Sequence, residues 1–478
     1  MTLPSTKTYQ YLLIATIFLG SLVLFWGLGS VQLMSLNEGR RALAIKEMFS
    51  SGSWLIPTQN GELYLTKPPL LYWISASFSH VFGEVNEWTL RLPSALAALA
   101  TLCMTYQFTL KKFGVWPALF SAQILIANVG FAMLARRVEI EMLLTALCLG
   151  ALLSALKYKE VAAKQRWIYL SYFLLGLAVL AKGPVALLFV TLPLIIAMLW
   201  TKDDSIKKVL TSVRAWAVFF AVALSWYTAV SWQLGFDIWG AIAKRDMLEK
   251  MQAVEVAKPL LSYVGWIAID FLLLLAVLFV RPKSLFKRYS GNNDWLTIVA
   301  SVAAPVLIFS LFSNKHAKYL LPIYPLIAII LGVQLGLLFD AAKATVKKVI
   351  VILGVLLPVV FACYYMFVEA RIFSYRTVAL SQFQDWSSSI SVDTLYALGN
   401  VDSRLIYYAN NPVKVVDAQE LKRLQDSHSS LLILAEEANK NAAIALAHCK
   451  IREFKPYLKK NKALTVFGIG GICHAKNI

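Results

Sequence analysis

The sequence predicts a mainly α, polytopic membrane protein of about 11–13 transmembrane helices, followed by a C-terminal α/β domain. Three observations predict it. Hydrophobic residues make up 59% of the 478-residue chain and charged ones only 15%, where a soluble chain carries about 25% charged residues. Apolar runs long enough to cross a hydrocarbon core recur along most of the chain. After residue 369 the texture changes to short apolar runs alternating with helical patterns. The expected division is a transmembrane domain over 1–369, with outer loops 31–88 and 233–261, and an α/β domain over 370–478 outside the membrane.

Candidate spans fall at roughly 10–30, 89–110, 115–134, 141–157, 167–182, 184–200, 215–232, 262–280, 295–312, 320–339 and 348–368. The first resembles a signal peptide, but about 20 apolar residues preceded by one lysine read as an uncleaved span. The pair around 167–200 is short for two crossings. Eleven spans put the two termini on opposite sides. Loop charges set the orientation. One set of loops carries Lys111 and Lys112, then Lys157 to Arg166, Lys202 to Arg214, Arg281 to Arg288 and Lys343 to Lys348. Every member is basic, which makes that set cytoplasmic and puts the N-terminus inside. The net charge of +19 therefore speaks for topology and not for nucleic acid.

The opposite loops hold the chemistry-bearing residues. In LNEGRRALAIKEM (36–48), Glu38, Arg41 and Ile45 share one helix face, while Glu47 falls on another side. By spacing alone this is an interfacial helix with snorkelling arginines; with Glu38 facing a cavity it is a site. In NGELYLTKPPLLYW (60–73), Asn60-Gly61 is a turn and Pro68-Pro69 holds Lys67 in extended chain among aromatics. Lys67 there is either an interfacial anchor or a phosphate ligand. ARRVEIEM (135–142) sets Glu139 and Glu141 two residues apart, so that at most one is expected to point into a given cavity. Further cations stand in AKRDMLEKMQ (243–252), with Lys250, and in SNKHAKYLLPIYP (313–325), with Lys315, Lys318 and Tyr319. Cations on several outer loops suit a lipid phosphate or a plain headgroup surface.

Cys103, Cys148 and Cys363 lie in spans, whereas Cys449 and Cys473 share the tail. An oxidising compartment would permit a Cys449–Cys473 disulfide, a pairing that two cysteines alone leave open. No zinc spacing, C-x-x-C, phosphate-binding loop, dinucleotide fingerprint or G-x-S-x-G occurs.

The run N-E-G-R-R-A-x-A-I-K-E-M, followed by S-G-S-W-L-I-P-T-Q-N-G-E-L-Y-L-T-K-P-P-L-L-Y-W, resembles the first outer loop of the polyprenyl-phosphate-sugar glycosyltransferases of GT-C fold. The branch is that of the aminoarabinose lipid A transferase and the protein O-mannosyltransferases. RLPSALAAL (91–99), LAKGPVALL (180–188) and KYLLPIYPLIAI (318–329) continue the likeness, which covers about 1–340. It implies an enzyme of the bacterial inner membrane, with active site and tail facing the periplasm. That enzyme moves a sugar from undecaprenyl phosphate to lipid A or another envelope glycan, with no separate cofactor.

Carried over by residue, the likeness makes Lys67 a phosphate ligand. Tyr319, Lys250 and Arg40 join it at the lipid phosphate, and Glu141 stands where an aspartate is usual. Three departures follow, one of them Arg41 where the family has a tyrosine. The family's leading D-E pair is Asn37-Glu38, so an amide replaces the usual catalytic acid, and Thr66 replaces an acidic residue before K-P, which implies no metal there. The candidate catalytic set is thus Glu38, Glu141 and Asn37. Competing readings are a lipid-linked-sugar transporter or flippase, or a sister that lost activity with its aspartate. A flippase calls for ionisable groups deep within spans, and here only Asp270 qualifies.

An amide is no base, but an ionised phosphate acceptor needs little base. Asn37→Ala is then expected to retain substantial transfer, while Glu38→Gln and Lys67→Ala abolish it. Full transfer by Lys67→Ala would remove the phosphate assignment.

Overall fold

A computed structural model describes residues 6–160, 165–244, 258–272, 274–289, 291–427, 430–457 and 462–474. The chain divides into two compact units. The first comprises Met1–Trp26, Leu65–Ile74 and Arg91–Met366; the second comprises Gly27–Tyr64, Ser75–Leu90 and Phe367–Ile478. The helices that bear on the site are α1 (Thr6–Phe25), α2 (Leu36–Ser51), α3 (Leu70–Phe82), α4 (Glu87–Phe113), α5 (Val115–Ile126), α6 (Val129–Ala135), α7 (Ile140–Glu160) and α8 (Arg166–Lys182).

The first unit is helical. Among the described residues, five helices are long and apolar enough to cross a membrane, and up to seven do so if each of two bent pairs counts as one span. One bent pair is α5 with α6, at 65°. Its cause is local. Asn128 leaves the helical conformation, and its side-chain oxygen accepts the Phe131 N–H at 2.8 Å, starting a new helix in a new direction. The other bent pair, Val213–Ala223 with Ser225–Leu234, turns by 45°.

Two of the expected spans are interrupted. Arg166–Lys182 stops at Gly183, whose φ of +88° suits a residue without Cβ, and Pro184 follows. The 262–280 stretch breaks at Asp270, where the helix Ser262–Asp270 ends and the 3-10 turn Leu274–Phe279 follows. Asp270 therefore sits at a helix end. It accepts the Tyr324 hydroxyl, and its backbone carbonyl accepts the Asn128 amide at 3.0 Å.

The second unit contains α2, a small hairpin and the tail sheet. The hairpin pairs β1 (Thr58–Gln59) with β2 (Glu62–Leu63) across Asn60 and Gly61, both at positive φ. This is the primed turn that Asn-Gly favours. The tail contributes β3 (Leu395–Leu398), β4 (Val413–Val416), β5 (Ser430–Glu436), β6 (Cys449–Phe454) and β7 (Leu464–Gly470), in the order β4-β3-β5-β7-β6. The first two pairings, β4 with β3 and β3 with β5, are parallel; β5 with β7 and β7 with β6 are antiparallel. Leu398, Leu421, Ile433, Ala443 and Phe467 belong to its apolar core.

The Cys449–Cys473 disulfide forms, tying the start of β6 to the turn after β7 across 24 residues. Closing such a loop restrains the unfolded chain by about 3 kcal/mol. Cys449→Ser/Cys473→Ser, or reduction, is expected to speed limited proteolysis of the tail by roughly 100-fold when cleavage follows global opening of that domain. Unchanged proteolysis would show that the bridge contributes nothing to tail stability.

Candidate active site

Four ionisable side chains of the first unit meet where the start of α7 lies beside the end of α8. Lys318 Nζ stands 3.2 Å from Glu139 Oε2 and 3.6 Å from Glu141 Oε1. Lys182 Nζ donates to Glu141 Oε1 at 3.2 Å. The carboxylates are almost fully buried, with side chains 3–4% exposed, while the lysines retain 15–19%. Lys182 also lies over the ring of Tyr319, 4.6 Å from its centroid. The cluster carries two positive and two negative charges in a poorly hydrated place, where an ionic group is stable only when paired.

Local sequence places each member. Glu141 falls in the first turn of α7 and Lys182 in the last turn of α8, so each charge complements its helix dipole. Gly183 ends α8 directly after Lys182. Lys318 and Tyr319 ride on the 3-10 turn Ala317–Ile323; Pro322 lies within it and Pro325 in the first turn of the helix that follows. Lys315 is buried differently: it donates to the Phe312 and Lys258 carbonyls, tying the 313–319 loop to residue 258. Arg136 donates to the Val23 carbonyl at 2.9 Å and stacks on Tyr365.

The expectation that only one of Glu139 and Glu141 points into a given cavity is corrected, since both reach Lys318. The spacing argument assumed a helix through both residues, but α7 begins at Ile140 and Glu139 precedes it in irregular chain. The sequence pattern assigns no site role to Glu139, Lys182 or Lys318. Each stands in a quoted stretch, but only tertiary contact makes them partners.

The first-loop helix belongs to the second unit. Ser35 caps α2 by accepting the Glu38 N–H at 3.1 Å, and Glu38 Oε2 accepts the Met34 N–H at 2.7 Å. This is a reciprocal cap of the S-x-x-E kind. Glu38, Arg41 and Ile45 are all buried, as their shared face requires, whereas Asn37 and Arg40 are exposed one turn apart. Gly39 is needed for contact. A Cβ there would meet Arg404 Cγ at 2.5 Å and Arg404 N at 3.0 Å.

Arg404 cannot withdraw. It pairs with Asp402 (Nη2 to Oδ2, 2.6 Å) and donates from Nη1 to the Met34 carbonyl. Burial alone would raise the Asp402 carboxyl, but Arg404 and then Lys462 bring it below the ordinary carboxylate value. Lys46 donates to the Tyr407 carbonyl at 2.7 Å, and burial holds it below the ordinary lysine value. Glu47 takes the Thr58 hydroxyl and the Asn60 and Gly61 amides, fixing the hairpin.

Lys67 is exposed on the turn before Pro68 and Pro69. Lys250 lies outside the described residues.

Residues 66–227 match the family described as dolichyl-phosphate-mannose-protein mannosyltransferase. An uncharacterized protein of Aquifex aeolicus is 27% identical over 362 residues, which is 74% of this chain and 80% of that one. The undecaprenyl phosphate-alpha-4-amino-4-deoxy-L-arabinose arabinosyl transferase of Shewanella sediminis is 26% identical over 64% of this chain, and the match spans 56% of that protein's length. The crystal structure of ArnT from Cupriavidus metallidurans bound to undecaprenyl phosphate aligns with a TM-score of 0.77 at 19% identity, over 97% of this chain and 98% of that one. The chain has the GT-C fold. It is thus similar in fold to ArnT over nearly its whole length, and to the mannosyltransferase family over residues 66–227.

Because Lys318 serves both carboxylates, Lys318→Ala is expected to destabilise the first unit by on the order of 3 kcal/mol. Lys318→Met and Lys182→Met combined with Glu139→Gln and Glu141→Gln are expected to recover most of that loss in detergent thermal unfolding. An unchanged midpoint in Lys318→Ala would overturn the shared pairing.

Proposed function

We propose that this chain transfers a sugar, aminoarabinose-like or another pentose or hexose, from undecaprenyl phosphate to lipid A or another envelope glycan at the periplasmic face of the bacterial inner membrane. The Glu139–Lys318–Glu141–Lys182 cluster carries this reading. The acceptor oxygen attacks the anomeric carbon, the carbon–oxygen bond to phosphate breaks, and its electron pair stays on the phosphate oxygen. A phosphodiester with one charge thereby becomes a monoester that gains a second. Lysines held in place by carboxylates, in a site that excludes water, meet that charge as it develops without having to reorganise.

Lys182 and Lys318, with Tyr319 against Lys182, hold the leaving phosphate, and Lys67 and Lys250 supply further cations from the loops. The carboxylates of the sequence reading divide the work. Glu141, released from Lys182 as the phosphate engages it, takes the acceptor proton where the acceptor is a hydroxyl. Glu38 caps its own helix and so fixes the exposed Asn37 and Arg40 on it. The one-sided Cys449–Cys473 bridge in the tail supports an oxidising, periplasmic setting.

Mass spectrometry of lipid A and other envelope glycans, from a deletion strain beside its complemented strain, is expected to show the loss and return of one defined sugar. Complementation with Lys182→Ala is expected to restore roughly a hundredth of the transfer rate, the scale of one lost charge-stabilising group. No change in any glycan on deletion would favour a transporter or an inactive sister. Full transfer by Lys182→Ala would remove that lysine from the phosphate.

A further inference from the structure

Asp270 stands near the middle of the apolar stretch 262–280, where a carboxyl group is costly and is kept only with partners. It takes no part in the chemistry described above. The stretch breaks at this residue, and the break lies against another break of the same unit, the bend between α5 and α6. Broken spans leave backbone groups without helical partners, and side chains must then satisfy them.

One asparagine serves both breaks. The fully buried Asn128 accepts the Phe131 N–H with Oδ1, at the start of α6. From Nδ2 it donates to the Asp270 carbonyl, at the end of the helix Ser262–Asp270. The Asp270 side chain extends the network. Its Oδ2 accepts the hydroxyl of the buried Tyr324, whose ring packs on Phe271 with centroids 5.2 Å apart. Gly130, in the first turn of α6, permits the close approach: a Cβ there would meet Asp270 Oδ2 at 2.5 Å and Tyr324 Cε2 at 3.2 Å.

Both arms of this brace lead to the carboxylate–lysine cluster. Tyr324 directly follows the 3-10 turn Ala317–Ile323, which carries Lys318 and Tyr319. Helix α6 ends at Ala135, and the chain then runs through Arg136 to Glu139 and Glu141. Asp270 is not itself one of the four paired groups. We propose, on the reading of that cluster as the site of sugar transfer, that Asp270 is a positioning residue for it. Through Tyr324 it sets the place of Lys318 and Tyr319, and through Asn128 that of Glu139 and Glu141. The brace needs an acceptor oxygen at position 270 and not a charge, since an amide oxygen accepts a hydroxyl as a carboxylate oxygen does.

The test measures amine acylation of Lys318 in the full chain in detergent, mapped by mass spectrometry, with the exposed Lys348 as internal reference. Tyr324→Phe removes the hydroxyl alone. It is expected to speed acylation of Lys318 on the order of tenfold, the scale of coupling within one network, and to leave Lys348 unchanged. Asp270→Asn keeps an acceptor oxygen and is expected to react as the wild type does. Should Tyr324→Phe fail to fold, Gly130→Ala displaces the same carboxylate from the side of α6 and is expected to give the same result. Where the wild type transfers sugar, Tyr324→Phe is expected to lower kcat by roughly 10- to 100-fold and to move KM for the donor less than about twofold, because misplaced groups lose the transition state first. Unchanged acylation of Lys318 or unchanged kcat in Tyr324→Phe would overturn the inference. So would equal acceleration at Lys348, the mark of general loosening, or acceleration in Asp270→Asn, the mark of a required charge. A wild type that transfers no sugar from any undecaprenyl-phosphate donor would instead remove the reading of the cluster, and the acylation rates would still decide the brace.

Discussion

Charge buried at the edge of an apolar helical bundle must be compensated, and the first unit is arranged around that requirement. Glu139 and Glu141 are almost without solvent, and Lys182 and Lys318 reach them there. That demand determines local geometry over a long stretch of chain. Helix α8 must end at Lys182, which Gly183 and Pro184 ensure. Helix α7 must begin at Ile140, so that a preceding and an included glutamate converge. The 313–325 segment must stay a tight 3-10 turn, which its prolines favour, to deliver Lys318 and Tyr319 together.

An analogous constraint governs the second unit. The start of α2 approaches Arg404 so closely that a side chain at position 39 would overlap it. Glycine inside a helix costs about 1 kcal/mol against alanine, and here it is offset by contact. Glu38 caps the helix on one side of that glycine, while Arg404 is held by Asp402 on the other. The loop pattern that first looked like scattered charge is therefore largely structural on its buried face. Its exposed face carries Asn37 and Arg40.

Much of this was legible in the chain. Apolar runs marked the spans, Asn60-Gly61 marked the hairpin turn, and four apolar runs in the tail correspond to β3, β4, β5 and β7. Strand β6 escaped because it is an edge strand bearing Lys450, Arg452 and Glu453, and charges on an edge protect it from unwanted pairing while hiding its periodicity. Asp270 read as an ionisable group inside a span, but the span breaks at that residue. The bend between α5 and α6 depends on one asparagine cap, a signal too short for hydropathy to register.

The sequence by itself determined the helical membrane class, the tail sheet and the short motifs that limit where chemistry can occur. These depend on composition and near-neighbour periodicity, which act within a few residues. Tertiary structure alone decided that Glu139 and Glu141 share Lys318, that Lys182 joins them, and that Cys449 and Cys473 bond. Those outcomes join residues 24 to 179 positions apart. Coulomb attraction and close packing act through space, and no local pattern specifies which distant charge or cysteine the fold will bring within reach.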